Sequence, residues 1–223
     1  MIVSIHQPQY IPWIPYFSKI HLSDLFVLLD DVQYQKNGLQ NRNYIYTQNG
    51  TTRLTLSVKG KLGDKINQIT LFDKRELSKH WKTIEQAYKK APYFGELQPE
   101  LAKFYTRDYT LLEELCSDLI LFLCKYIGIN TKIIKSSSLQ KQGEKSALIL
   151  NICQQLKTTT YISGSGGLDY LDQKSFADAN IKLQIMEYKV REYKQVNNKD
   201  GFVKELSIFD LVFNVGKSSI EYL

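Results

Sequence analysis

The sequence predicts an α/β fold, with a mostly parallel, Rossmann-like sheet, an antiparallel hairpin and an all-helical middle segment. Three observations predict it. Short apolar runs alternate with amphipathic segments near both ends of the chain, the pattern of strand–helix–strand units. Residues 25–29, Leu-Phe-Val-Leu-Leu, are apolar without interruption, as a strand covered on both faces must be. From about residue 74 to 128 the apolar period becomes helical. A chain of 223 residues suits one α/β domain spanning 1–223, with a helical insertion at about 74–128. It is long enough to bury a core without disulfide staples.

The first strand covers the apolar residues 1–5 and is cut short because Pro8 and Pro12 cannot continue a ladder. A helix follows, with Ile14, Phe17 and Ile20 at helical spacing, and it stops near Ser23 and Asp24. The strand at 25–29 comes next and ends abruptly in Asp30-Asp31. Residues 44–47 and 53–58 around Gln48-Asn49-Gly50 read as a hairpin, with Leu54, Leu56 and Val58 on one buried face. A further strand is expected at 66–71.

The middle segment predicts helices at 76–90, 97–105 and 111–127, stopped by Pro92 and by Gly128. The last of these is apolar nearly all round between Leu119 and Leu123 and should be buried. Strands at 131–135, 160–162 and 182–188 then alternate with helices at 145–156 and 173–179, and a helix at 207–214 follows.

The net charge of +6 comes from scattered basic residues with no run of five or six, so no nucleic-acid partner is expected. Cys116, Cys124 and Cys153 are odd in number, lack Cys-x-x-Cys spacing and lie in helical apolar patterns. This argues against a disulfide framework and a zinc site, and no metal is expected. No basic leader precedes an apolar stretch and no window approaches eighteen apolar residues, so a cytoplasmic protein without a membrane span is expected.

The densest polar passage runs from residue 3 to 43. His6 falls just past a strand end, where an imidazole can move a proton near neutral pH. Asp30 and Asp31 fall past the next strand end and can serve as general base or orient a ligand amine. Adjacent side chains diverge, so one of the two is expected to face the crevice. Gln7, Tyr10 and Trp13 share the histidine's loop.

Lys36, Asn41, Arg42, Asn43 and Lys59 form a donor-rich group suited to a nucleotide diphosphate or a phosphopantetheine. Ser163 and Gly164 open a glycine-rich turn after a strand, which can offer backbone amides to an anion. Asp210, inside an apolar helix, is expected to pair with Arg42 or a lysine. His21 and His80 lie in helical segments without polar company and read as structural or surface residues.

Read together, these residues resemble the WbqC-like family over nearly the whole chain. The resemblance is carried by His6-Gln7-Pro8 with Tyr10, Pro12-Trp13 and Tyr16-Phe17, by Asp30-Asp31 with Gln33-Tyr34 and Lys36, and by Asn41-Arg42-Asn43. Ala91-Pro92-Tyr93-Phe94, Tyr161-Ile162-Ser163-Gly164, Phe176, Tyr193 with Gln195, and residues 207–216 extend it. Pro15 stands where the family is expected to have glycine.

The resemblance implies a place in surface-polysaccharide pathways, such as the O-antigen of lipopolysaccharide. It implies transfer of an acyl or aminoacyl group to an amine on a nucleotide-linked amino sugar. No cofactor is expected to be bound, and the acyl donor would be carried on coenzyme A or an acyl carrier protein. His6, Asp30 or Asp31 would take the amine proton, and Asn41, Arg42, Asn43 or the turn from Ser163 would meet the oxyanion or phosphates. Nucleotidyl transfer is the alternative reaction, although the His-x-Gly-His pair of those enzymes is absent; a non-catalytic sugar-nucleotide or carrier-binding protein is a third reading.

Overall fold

A computed structural model describes residues 1–198 and 201–223. The chain gathers into two compact units, the first made of residues 1–7, 15–31 and 130–189 and the second of residues 8–14, 32–129 and 190–223.

The first unit is built on five strands: β1 (Ile2–His6), β2 (Leu25–Leu28), β7 (Lys132–Lys135), β8 (Thr160–Ser163) and β9 (Lys182–Ile185). They lie in the order β7-β2-β1-β8-β9, and every neighbouring pair is parallel. This is the order of a doubly wound sheet, with β1 at its centre. The helices α1 (Ile14–His21), α5 (Lys145–Gln155) and α6 (Gln173–Asp178) connect its strands.

All four residues of β2 are buried, which explains its unbroken apolar run. Ser4, fully buried in β1, is satisfied by the Ser23 hydroxyl at 2.7 Å and donates to the Lys19 carbonyl at 3.2 Å. That bond ties the middle of the central strand to the last turn of α1. Cys153 on α5 is also fully buried, and burial pushes its thiol up to about 12, which fits packing rather than nucleophilic chemistry.

The second unit holds the hairpin β3 (Arg42–Thr47) and β4 (Gly50–Thr55), the short antiparallel pair β5 (Val58–Lys59) and β6 (Thr70–Leu71), and the helices α2 (Arg75–Tyr88), α3 (Phe94–Thr106), α4 (Leu112–Ile127) and α7 (Ile208–Val215). The hairpin register pairs Thr47 with Gly50, so Gln48 and Asn49 form a two-residue turn. Trp81 stacks between Phe94 and Tyr105, with ring centroids 6.0 and 5.3 Å away. Leu119, Ile120 and Leu123 are fully buried on α4, while Leu121 is exposed. Gly128 closes this helix in the left-handed region at φ +90°, a conformation glycine adopts without a side-chain clash.

Several expected boundaries shift. The strand expected at 66–71 is instead a 3-10 turn at Ile66–Gln68 followed by the two residues of β6. Ile66, Ile69 and Leu71 are buried, so an apolar pattern of strand type was satisfied by a turn. β9 stops at Ile185 rather than reaching 188, and α3 begins at Phe94, three residues earlier than expected. Arg42 and Asn43 belong to β3 rather than to the loop before it.

Candidate functional site

In a doubly wound sheet the ligand crevice lies beyond the carboxyl ends of the strands, where the strand order reverses. Here β2 and then β7 lie on one side of β1, and β8 and then β9 on the other, so the reversal falls between β1 and β8. β1 ends in His6 and β8 in Ser163. The pairing of Ser4 with Ile162, carried two residues on, sets Gly164 beside His6. Two groups picked out separately in the sequence therefore meet at the switch point.

The His6 ring stands edge-on to Tyr16, with centroids 4.9 Å apart. Its Nδ1 lies 3.1 Å from the Gln7 carbonyl oxygen, which also accepts from the Tyr16 hydroxyl at 3.1 Å. A carbonyl only accepts, so Nδ1 carries the proton and Nε2 is left as the basic nitrogen. Burial, and then the charge of Lys19, lower the imidazole to about 3, so the ring is neutral at physiological pH. It can take a proton from a reacting group but has none in reserve to give. Gln7 contributes to this arrangement through its backbone carbonyl.

The two acids behave differently from expectation. Their side chains converge instead of diverging: the Ser136 hydroxyl lies 3.0 Å from Asp30 Oδ1 and 2.5 Å from Asp31 Oδ1. Asp30, 1% exposed, also accepts from the Ser137 amide at 2.9 Å. Asp31 is ion-paired with Lys141. Burial alone would raise the Asp31 carboxyl, but hydrogen bonds from Lys141 and Ser136 outweigh it and hold the group below the usual range. Both acids fasten the end of β2 to the turn after β7, and neither is an unengaged base.

Ser163 is nearly buried, and its hydroxyl donates to the Gly164 carbonyl at 3.2 Å. The chain then makes a tight turn in which the Gly167 amide donates to the Gly164 carbonyl at 2.9 Å. A Cβ at Gly167 would come within 2.0 Å of Ser163 Oγ, so only glycine permits this approach. No general base addresses the Ser163 hydroxyl in these contacts.

The sequence reading missed Lys19. It sits on α1 with 5% exposure, and burial lowers its amine to about 7. Its signal in the sequence was a single lysine inside a short, mostly apolar helix.

The remaining candidates lie in the second unit, where most are structural. Tyr10 is fully buried, its hydroxyl 3.0 Å from His80 Nδ1 and 3.3 Å from Tyr105. His80 therefore has the polar company its sequence context did not suggest. Asn41 Nδ2 donates to the Leu56 carbonyl at 2.7 Å, and Asn43 Nδ2 to the Ile11 carbonyl at 2.8 Å. Those amides hold backbone and are not available to an oxyanion.

Arg42 reaches Asn37 at 3.2 Å, leaving its buried Nε without a partner, as is Asn41 Oδ1. Lys36 is exposed, Lys59 lies over the Phe72 ring at 4.5 Å, and Trp13 bridges to Ser207. Among the described residues Asp210 pairs with no cation. It accepts from the Tyr88 hydroxyl at 2.9 Å, the Tyr193 hydroxyl at 2.8 Å and Gln195 Nε2 at 2.7 Å. Burial raises its carboxyl above the usual range despite these three donors. Two hydroxyls and an amide thus take the place of the cation expected beside this carboxyl group.

Among the described residues no group of three or more His, Cys, Asp and Glu side chains is placed to hold a metal ion, and no helix is long and apolar enough to cross a membrane.

The model of the WbqC-like protein family matches residues 7–222. An uncharacterized protein of Mycobacterium tuberculosis, Rv1507c, is 37% identical over 226 residues, an alignment covering 99% of this chain and 96% of that protein. No solved structure matches.

Proposed function

The chain belongs to the WbqC-like family, and on that premise we propose that it transfers an acyl or aminoacyl group to the amine of a nucleotide-linked amino sugar. The reaction would serve surface-polysaccharide assembly in the cytoplasm. The observation that carries this reading is the neutral His6 imidazole, held through Nδ1 with Nε2 basic, at the carboxyl end of the central strand.

The chemistry is direct. The acceptor amine attacks the thioester carbonyl of an acyl group on coenzyme A or an acyl carrier protein, forming the C–N bond. His6 Nε2 takes the amine proton as the bond forms. The C–S bond then breaks, and the proton passes from the imidazolium to the departing thiolate. No covalent enzyme intermediate is needed, in keeping with the buried thiols and the unactivated Ser163 hydroxyl. The turn from Ser163 to Gly167 is the proposed contact for the oxyanion. Incubation of purified protein with a set of acyl donors and nucleotide-linked amino sugars, read by mass spectrometry, should yield the amide; no amide from any pairing would defeat the proposal.

One observation favours a second reading. A doubly wound sheet with a histidine after its first strand is also the setting of nucleotidyl transfer. Release of pyrophosphate from a nucleoside triphosphate and a sugar phosphate would select that reaction instead.

A further inference from the structure

The hairpin of the second unit has two faces. Leu54 and Ile45 are buried on one. On the other, Arg42 stands directly opposite Thr55, and Tyr44 opposite Arg53. Residues paired in this way project from the same side of an antiparallel ladder, with Cβ atoms about 5 Å apart. Arg42, Tyr44 and Thr55 are half-buried and Arg53 is exposed, so this face is open at its margin.

The Arg42–Thr55 pair carries two polar atoms that are shielded from solvent and have no hydrogen-bond partner, Arg42 Nε and Thr55 Oγ1. A guanidinium N–H only donates, and a hydroxyl also has a proton to give. Two neighbouring donors therefore lack an acceptor, in a setting where an unmade hydrogen bond is costly and native proteins leave few. The one acceptor that Arg42 meets is Asn37 Oδ1, 3.2 Å from Nη2 in a bond at the surface. Asn37 is itself exposed, in a turn closed by the Gly38 amide donating to the Gln35 carbonyl at 3.1 Å. Lys36 of that turn and Arg53 on the hairpin are exposed cations, and among the described residues neither they nor Arg42 has an ion-pair partner.

We propose that Arg42 and Thr55 form an oxyanion subsite on this face of the hairpin, which receives a phosphate or carboxylate group of a ligand. Such a group has oxygens for both orphaned donors at once, and arginine meets it with two parallel N–H bonds. Asn37 Oδ1 holds Nη2 and gives way to the anion as it seats. Lys36 and Arg53 supply a positive field around the entrance. The subsite goes beyond the transferase reading and does not depend on it.

The test uses the full chain with 15N-labelled arginine, titrated separately with inorganic pyrophosphate and with acetate. The Arg42 Nε–H signal, identified by its loss in Arg42→Lys, should shift saturably with at least one anion. Calorimetric affinity should fall about tenfold or more in Arg42→Lys, which keeps the charge but not the planar fork. It should fall about threefold in Thr55→Val, which keeps the side-chain shape and removes the hydroxyl. Thermal unfolding midpoints near that of the wild type show that both variants are folded. Saturation by pyrophosphate alone marks a phosphate site, by acetate alone a carboxylate site, and by both a site that reads only the shared oxygens. No saturable Nε–H shift with either anion, or wild-type affinity in either variant, would overturn the inference. No acyl donor is present in the titration, so failure to bind refutes only the subsite, and failure to form an amide refutes only the transferase reading.

Discussion

Lys141 and Asp31 form an ion pair whose side chains are 12% and 13% exposed. The pair joins the end of β2 to the segment after β7, two places more than a hundred residues apart in sequence. Because Asp31 is held below the usual carboxylate range, it contributes stability above the unfolded value near 3.8, and that stability is lost as pH falls through the lower folded value. Lys141→Met leaves Asp31 poorly compensated and should destabilise the protein by about 2 kcal/mol at pH 7 in urea unfolding. The double variant with Asp31→Asn should recover part of the loss.

His6 should remain neutral well into the acid range. Its folded value of about 3 lies below the ordinary 6.5, so the unfolded chain binds more protons between those limits. The stability it contributes is complete above pH 6.5 and declines as pH falls towards 3. The 15N shifts of its ring at pH 5 should be those of the Nδ1–H tautomer, and His6→Gln should flatten the stability profile between pH 6.5 and 4.

Lys19 follows the same charge logic, with the same sign of slope. Its amine is lowered from 10.5 to about 7, so the unfolded chain again binds the extra proton and stability rises with pH across that interval. Lys19→Met removes the slope. The variant should be more stable than the wild type at pH 6.5, by at most on the order of 4 kcal/mol, with the gap narrowing by pH 9.5. Denaturant midpoints at the two pH values check this.

Asp210 should behave as a structural group. Asp210→Asn turns an amide N–H₂ towards hydroxyl and amide donors that need acceptors, and should cost about 2 kcal/mol in urea unfolding. Tyr88→Phe should cost a similar amount, about 2 kcal/mol, because the carboxylate keeps the donors Tyr193 and Gln195 but the buried Tyr46 amide loses its acceptor at 3.0 Å.

Much of the first unit was legible in the sequence. The unbroken apolar run of β2, the prolines after β1 and the alternation of later strands and helices report local backbone preference and burial, which sequence periodicity records. His6 was legible because a strand end is a local feature and the strand order then brought Ser163 and Gly164 to it.

The partners of the acids were not legible. Ser136 and Lys141 meet Asp30 and Asp31 across more than a hundred residues, and no periodicity encodes that meeting. Nor was the fate of Asn41 and Asn43, whose amides look like free donors until the carbonyls of Leu56 and Ile11 close on them. Lys19 was overlooked because a helix of eight residues reads as having a wet face, whereas only His21 of α1 is exposed.

The most direct test of the account compares amide formation by the wild type and by His6→Ala with the same acyl donor and nucleotide-linked amino sugar. Loss of the proton acceptor should lower kcat by about 100-fold or more while the thermal unfolding midpoint stays within a few degrees. Product formation by His6→Ala within twofold of the wild type would contradict it.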